Sequence, residues 1–233
     1  MNDKQPLAII TGGTGYLGSA IVDELRKSGW RVMSLARSVA KEETDAYECD
    51  ITKADDVGRT IGKIIEQYGE IAACIHAASP ALERKPILSL TADSFDESIQ
   101  TAVNGAFLLA KAAMPHMREG AAFIGITSQA IEPGTSAPMG AYVPAKYALQ
   151  GFLRVLAHES SHIRVYAVAP GFMPGGLNRD VPEKVVAFLG SKKDSGFCTP
   201  EDVASVVARL CNEKAAYPSG SLISVPSNRV DQL

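Results

Sequence analysis

Leu7-Ala8-Ile9-Ile10-Thr11-Gly12-Gly13-Thr14-Gly15-Tyr16-Leu17-Gly18-Ser19-Ala20-Ile21-Val22-Asp23-Glu24-Leu25 changes its period halfway along. It opens as a short apolar run, the mark of a strand buried on both faces, and from Leu17 onward its apolar residues recur at helical spacing. The glycines between let the backbone turn tightly and come close to a pyrophosphate, whose charge would meet the N–H groups and dipole of the following helix. A strand, a glycine-rich turn and a helix in that order point to a dinucleotide-binding βα unit.

Outward from this unit the same alternation continues. Strands are expected at Leu7–Thr11, Arg31–Leu35, Ala46–Cys49, Ile71–His76, Ala122–Ile126, Ile163–Val168 and Leu222–Val225. Helices are expected near Gly15–Ser28, Ala54–Tyr68, Asp93–Met117, Ala141–Ser160, Pro182–Leu189 and Pro200–Asn212, two of them announced by Thr91-Ala92-Asp93 and Thr199-Pro200-Glu201. With right-handed crossovers the economical fold is α/β, a doubly wound parallel sheet of seven strands with helices on both faces, the Rossmann arrangement. The Pro- and Gly-bearing stretches Ile131–Met139 and Pro170–Asn178 should be loops at the carboxyl ends of strands, where such sheets bind ligands.

The 233 residues suit one large domain, 1–233, with 46% hydrophobic and 21% charged residues. With 23 basic against 26 acidic side chains there is no surplus of positive charge to drive binding to nucleic acid or an anionic membrane. Met1–Pro6 lacks the pattern of a signal peptide and no run is long enough to span a membrane, so a cytoplasmic protein is expected. Cys49, Cys74, Cys198 and Cys211 form no Cys-x-x-Cys pair and read as buried thiols. His158-Glu159-Ser160-Ser161-His162 has the spacing of a zinc-protease helix, but the β-like Ile163-Arg164-Val165 follows at once. The helix must therefore end at or before His162, and no metal site is expected. His76 reads as a hydrogen-bonded core histidine.

After the second strand, Ala36, Arg37 and Ser38 stand where an NAD-preferring protein would carry a carboxylate for the adenosine ribose. A guanidinium there can pair with a 2′-phosphate, which points to NADP(H) over NAD(H). Tyr142 and Lys146, four apart, project from one helix face, with Ser128 at the end of the strand before them. For tyrosine to act as acid and base near neutrality, its pKa of about 10 must fall by up to about 3, or about 4 kcal/mol. The ammonium of Lys146 is the simplest source of such a change.

The turn, Arg37, Asp50, Asn104, Ser128, Tyr142, Lys146 and Pro170-Gly171 together resemble the short-chain dehydrogenase/reductase family over nearly the whole chain. The resemblance implies that Tyr142 exchanges a proton with the substrate oxygen while Ser128 hydrogen-bonds it. It gives Lys146 the nicotinamide ribose and Asn104 a proton-relaying water. It places the cofactor against Gly12, Thr14, Gly15, Tyr16, Leu17, Arg37, Ser38, Asp50, Ile51, Ala77, Ala78, Ser79, Tyr142, Lys146, Pro170, Gly171, Phe172 and Met173. It implies a small carbonyl or alcohol substrate, a substrate loop near 170–190, and a homodimer or homotetramer built on helices such as those carrying Phe107-Leu108-Leu109 and Phe152-Leu153.

The chain departs from the family's usual pattern at several points. Tyr16 stands where the single-domain branch has glycine, and Gly12, Gly15 and Gly18 fall at the spacing of the longer, nucleotide-sugar-modifying branch. His76-Ala77-Ala78-Ser79 replaces Asn-Asn-Ala-Gly, removing two amides that stabilise the sheet and line the cofactor. Ser128 and Tyr142 are one residue further apart than is common, Gly175 replaces a threonine, and Pro226-Ser227-Asn228 replaces Asp-Gly-Gly. The expected activity is hydride transfer between NADP(H) and a carbonyl/alcohol pair. A 3-oxoacyl-[acyl-carrier-protein] reductase is the nearest specific alternative, and a non-catalytic NADP(H)-sensing protein is the alternative of another class.

Overall fold

A computed structural model describes residues 5–39, 45–132, 138–191, 197–212, 217–226 and 230–233. One sheet runs through it in the order β3-β2-β1-β4-β5-β6-β7-β8. Its strands are β1 (Leu7–Thr11), β2 (Arg31–Ala36), β3 (Ala46–Glu48), β4 (Ile71–His76), β5 (Met117–Ile126), β6 (Arg164–Pro170), β7 (Ser221–Val225) and β8 (Val230–Gln232). The first seven are parallel, and the order reverses between β1 and β4, which makes their carboxyl ends the ligand-binding crevice of a doubly wound sheet.

The expected seven strands become eight. Val230–Gln232 pairs antiparallel with β7. All three of its residues are exposed, so no apolar run marks it in the sequence.

Alternation along the strands divides the core in two. From β1, Leu7 and Ile9 enter one cluster while Ala8 and Ile10 enter the other. The first cluster is covered by α2 (Ala54–Tyr68), α4 (Gly105–Ala113) and α5 (Tyr142–Glu159), through residues such as Ile61, Leu109 and Leu153. The second is covered by α1 (Tyr16–Lys27) and α7 (Pro200–Cys211), through residues such as Ile21, Leu25, Val203 and Val207. All four cysteines are buried free thiols. Among the described residues no helix is long and apolar enough to cross a membrane.

Both capping signals hold. Thr91 Oγ1 accepts from Ser94 N at the start of α3 (Ala92–Ile99). Thr199 and Asp202 form a reciprocal capping box on α7. The helix expected over Asp93–Met117 is broken up instead: α3 passes into a π turn at Gln100–Asn104, then α4, then a 3₁₀ turn at Met114–His116. Gly105 N reaches back five residues to Gln100 O, as a π turn requires. The remaining helix, α6 (Glu183–Gly190), follows the loop after β6. As expected from the β-like run after His162, α5 ends at Glu159 and His162 lies outside it. Pro133–Ser136, Lys192-Lys193-Asp194 and Ser227-Asn228 fall outside the described residues.

Candidate active site

The first βα turn is shaped by close approach. Gly12 lies at φ +72°, and a Cβ on it would stand 2.8 Å from Ala78 Cα. A Cβ on Gly18 would stand 2.0 Å from Gly12 O. The turn is thus pressed onto the residues after β4, with Gly12 N donating to Leu35 O at 2.8 Å. Gly15 caps α1 without a side-chain bond, and the first turn of that helix has no acidic residue. Its N–H groups are left for an anion. Ser79 adds a buried hydroxyl that finds no partner among the described residues. These features fit a dinucleotide, with Thr14, Gly15 and Leu17 at the helix start and Ala77, Ala78 and Ser79 opposite.

Arg37 and Ser38 lie exposed past β2, and the Arg37 guanidinium stands 4.0 Å from Glu97 on α3. Sequence reasoning did not foresee that carboxylate, which comes from an element 60 residues away. Asp50 accepts from Thr52 Oγ1 at 2.7 Å and Thr52 N at 3.0 Å, and these bonds hold its carboxyl below the usual value. The side chain of Ile51 is in the core.

Ser128, at the carboxyl end of β5, has extended backbone, and its Oγ accepts from Ala130 N at 3.1 Å. It lies near enough to Tyr142 for its hydroxyl to favour the ionised phenol. Lys146 is buried one turn along α5, and its Nζ donates to Ile126 O at 2.8 Å. The three side chains expected to act together are therefore together, and the longer spacing between Ser128 and Tyr142 is accommodated. Asn104 lies in the π turn, its Nδ2 donating to Thr52 O at 3.5 Å.

The source expected for a lowered tyrosine pKa is not in place. Lys146 Nζ stands 5.6 Å from the Tyr142 ring centroid and is turned to the strand carbonyl. Burial pushes the Tyr142 phenol above its ordinary value, and the Ser128 hydroxyl opposes this. Burial likewise brings Lys146 down to about 8.

The loss of two amides at 76–79 is partly made good. Ala102 O in the π turn can only accept, so His76 Nε2 carries the proton and donates to it at 3.1 Å. Nδ1 then accepts from Thr11 Oγ1 at 2.9 Å, and Thr11 Oγ1 accepts from Ala78 N at 3.4 Å. One buried imidazole ties β1, the end of β4 and the π turn together. A Cβ at Gly105 would stand 3.3 Å from His76 Cε1 and 2.8 Å from Ile51 Cδ1, so glycine lets the helix come this close.

Pro170 and Gly171 lead from β6 into the loop, with Gly171 N donating to Val225 O and Phe172 O accepting from Cys198 N. Gln129, which the sequence did not single out, braces the same floor by donating to Val225 O at 2.9 Å. Across the crevice mouth, Arg84 donates to Asn178 Oδ1, and Asn178 Nδ2 donates to Met173 O at 2.9 Å.

Comparison with known proteins agrees with this fold. Residues 17–227 match the family model described as enoyl-(acyl carrier protein) reductase. The chain is 30% identical over 228 residues to the 3-oxoacyl-[acyl-carrier-protein] reductase MabA of Mycobacterium tuberculosis, covering 93% of this chain and 90% of the relative. It is 27% identical to the 4-formylbenzenesulfonate dehydrogenase TsaC1/TsaC2 of Comamonas testosteroni, over 98% and 99% of the two chains. Among solved structures, ligand-free Thermoplasma acidophilum aldohexose dehydrogenase superposes with TM-score 0.83 at 24% identity, covering 95% of this chain and 92% of that one.

Proposed function

The chain belongs to the short-chain dehydrogenase/reductase family of oxidoreductases, and on that premise we propose that it transfers a hydride between NADP(H) and a small-molecule carbonyl or alcohol. The observation that carries this reading is the meeting of Ser128, Tyr142 and Lys146 at the end of β5, beside the π turn that holds Asn104. When bound, the cofactor supplies the hydride. The protein's part is to hold and protonate. Tyr142 gives its hydroxyl proton to the substrate oxygen in reduction, and Ser128 hydrogen-bonds the same oxygen as charge develops on it. Lys146 would hold the nicotinamide ribose, and Asn104 would support a water that returns protons to Tyr142.

Gly12, Thr14, Gly15, Leu17 and the backbone of Tyr16 would surround the diphosphate, Asp50 and Ile51 the adenine, and Ala77, Ala78 and Ser79 the adjoining ribose. Pro170, Gly171, Phe172 and Met173 would border the nicotinamide. One domain of 233 residues serves both cofactor and substrate, with residues 170–190 as the substrate loop.

Arg37 supports NADP(H) over NAD(H), since its guanidinium is exposed and no acidic residue follows β2 directly. A charge-assisted Arg–phosphate contact corresponds to about 10- to 100-fold tighter binding of NADPH than of NADH. A fluorescence titration with each nucleotide checks this. Arg37→Ala is expected to bring the two dissociation constants close together by weakening NADPH alone. Equal weakening of both nucleotides would remove the 2′-phosphate role, and failure of the unaltered protein to bind either would remove the reading as a whole.

Activity on 3-oxoacyl groups bound to an acidic carrier would call for a basic patch at the crevice mouth. Among the described residues of the segments after β4 and β6, Arg84, Lys85, Arg179 and Lys184 are interleaved with Glu83, Asp180 and Glu183, and Lys85 pairs with Glu83. This balance supports the broader carbonyl/alcohol class. Phe107 on α4 and Tyr147 and Val155 on α5 are exposed apolar side chains, which supports a homodimer or homotetramer formed on that face.

A further inference from the structure

Two departures in the sequence meet in space. Tyr16 begins α1, and its hydroxyl donates to Pro174 O at 2.8 Å, joining residues 158 apart. Its ring lies on Gly175 and Gly176, whose φ angles are +99° and +54°. A Cβ at 175 would stand 3.0 Å from Tyr16 Cζ, and one at 176 would stand 2.6 Å from Cδ1. Side chains at either position would displace the ring, and both conformations favour glycine. The aromatic residue in the glycine-rich turn and the two glycines in the loop therefore fit each other.

The loop's remaining ties lie on either side of this contact. Before it, Gly171 and Phe172 are hydrogen-bonded to β7 and to Cys198. After it, Asn178 is held by Arg84 and by the loop's own backbone. The ring borders an open groove of about 490 Å³, shared with Ala20, Asp23, Cys198 and Pro200, and is 48% exposed. Close packing on that side does not set its position. The hydroxyl bond and the two glycines do.

We propose that Tyr16 is a positioning residue that fastens the loop after β6 to the glycine-rich turn, spanning the crevice over the bound nucleotide and setting how long NADPH stays. This rests on the NADP(H) reading above. The diphosphate would lie along the turn that Tyr16 starts from, and the nicotinamide beside the loop it holds. The nucleotide could then leave only after the span opens. Tyr16→Phe keeps the ring and removes the hydroxyl bond alone, whereas Tyr16→Gly removes both contacts.

The test is stopped-flow release of NADPH from the full-length protein, displaced by excess NADP+, alongside thermal unfolding without nucleotide. Tyr16→Phe should release NADPH about 3- to 10-fold faster, as expected for one net hydrogen bond. Tyr16→Gly should release it faster still, with KM for NADPH rising in step. The pH dependence of kcat should stay that of the unaltered enzyme, and the unfolding temperature of Tyr16→Phe should hold within about 2 °C. A merely structural role would move the unfolding temperature and not the release rate. Unchanged release in Tyr16→Phe overturns the inference, and that variant decides the matter if Tyr16→Gly does not fold. Should the unaltered protein bind no NADPH, the NADP(H) reading fails and this inference fails with it.

Discussion

Replacing Tyr142 by phenylalanine is expected to lower turnover by about 10² to 10⁴, while the NADPH dissociation constant changes by less than about threefold. The substitution removes one hydroxyl from the only position where Ser128 and a helix-borne acid meet in the proposed mechanism. It leaves the ring, and hence the packing of the start of α5, in place. Burial raises the Tyr142 pKa, so at neutral pH the group is a phenol and is ready to donate in reduction. The reverse reaction needs tyrosinate, for which the nearby cation is turned away toward Ile126 O. Steady-state assays with a panel of aldehydes and ketones, paired with nucleotide titration, check both halves of the expectation. Turnover within tenfold of the unaltered enzyme would remove Tyr142 as the acid. Tight NADPH binding with no turnover on any carbonyl, in the unaltered protein, would favour the nucleotide-sensing alternative.

Legibility in the sequence followed the range of the interactions. The strand–turn–helix unit at Leu7–Leu25 was readable because its two periods and its glycines are local, and β1 and β4 run over the residues expected. Tyr142 and Lys146 were readable as one face of a helix because four residues make about one turn. The break at Gln100–Asn104 was not, because the apolar residues run on through Ala102, Ala106 and Leu109 with no proline to mark it.

Contacts between distant segments were the least accessible. The direction of the Lys146 ammonium depends on a strand carbonyl 20 residues away, and the glycines at 175 and 176 make sense only against Tyr16. Two departures from the family pattern, at 16 and 175, complete each other, and a third, at 76, substitutes one polar bridge for another.

That third substitution carries the second large effect. His76 is fully buried, and its pKa is pushed down to about 3, first by burial and then by the Lys146 cation, against hydrogen bonds to backbone at Ala102 and Thr101. In the unfolded chain a histidine titrates near 6.5. Between those values the unfolded state binds a proton that the folded state refuses, so stability is complete above about pH 6.5 and falls as the pH drops toward 3. The slope for one such group is about 1.4 kcal/mol per pH unit, which amounts to about 3 kcal/mol by pH 4.5. Asp50 and Glu83, both held below their ordinary values, act in the same direction but only at lower pH, so most of the loss between pH 6 and 4.5 belongs to His76. Urea unfolding across that range should show it. His76→Asn, which keeps a donor and an acceptor but cannot take up the proton, should be less stable at pH 7.5 and much flatter below 6.5. Parallel slopes in the two proteins would mean that His76 is not the titrating group. Because the same ring donates to Ala102 in the π turn, a proton forced onto it would turn its acceptor toward Thr11 into a second donor. Thr11 Oγ1, which can accept as well as donate, would then have to reverse its bond, and the cost of the acid form is a buried charge beside the Lys146 ammonium.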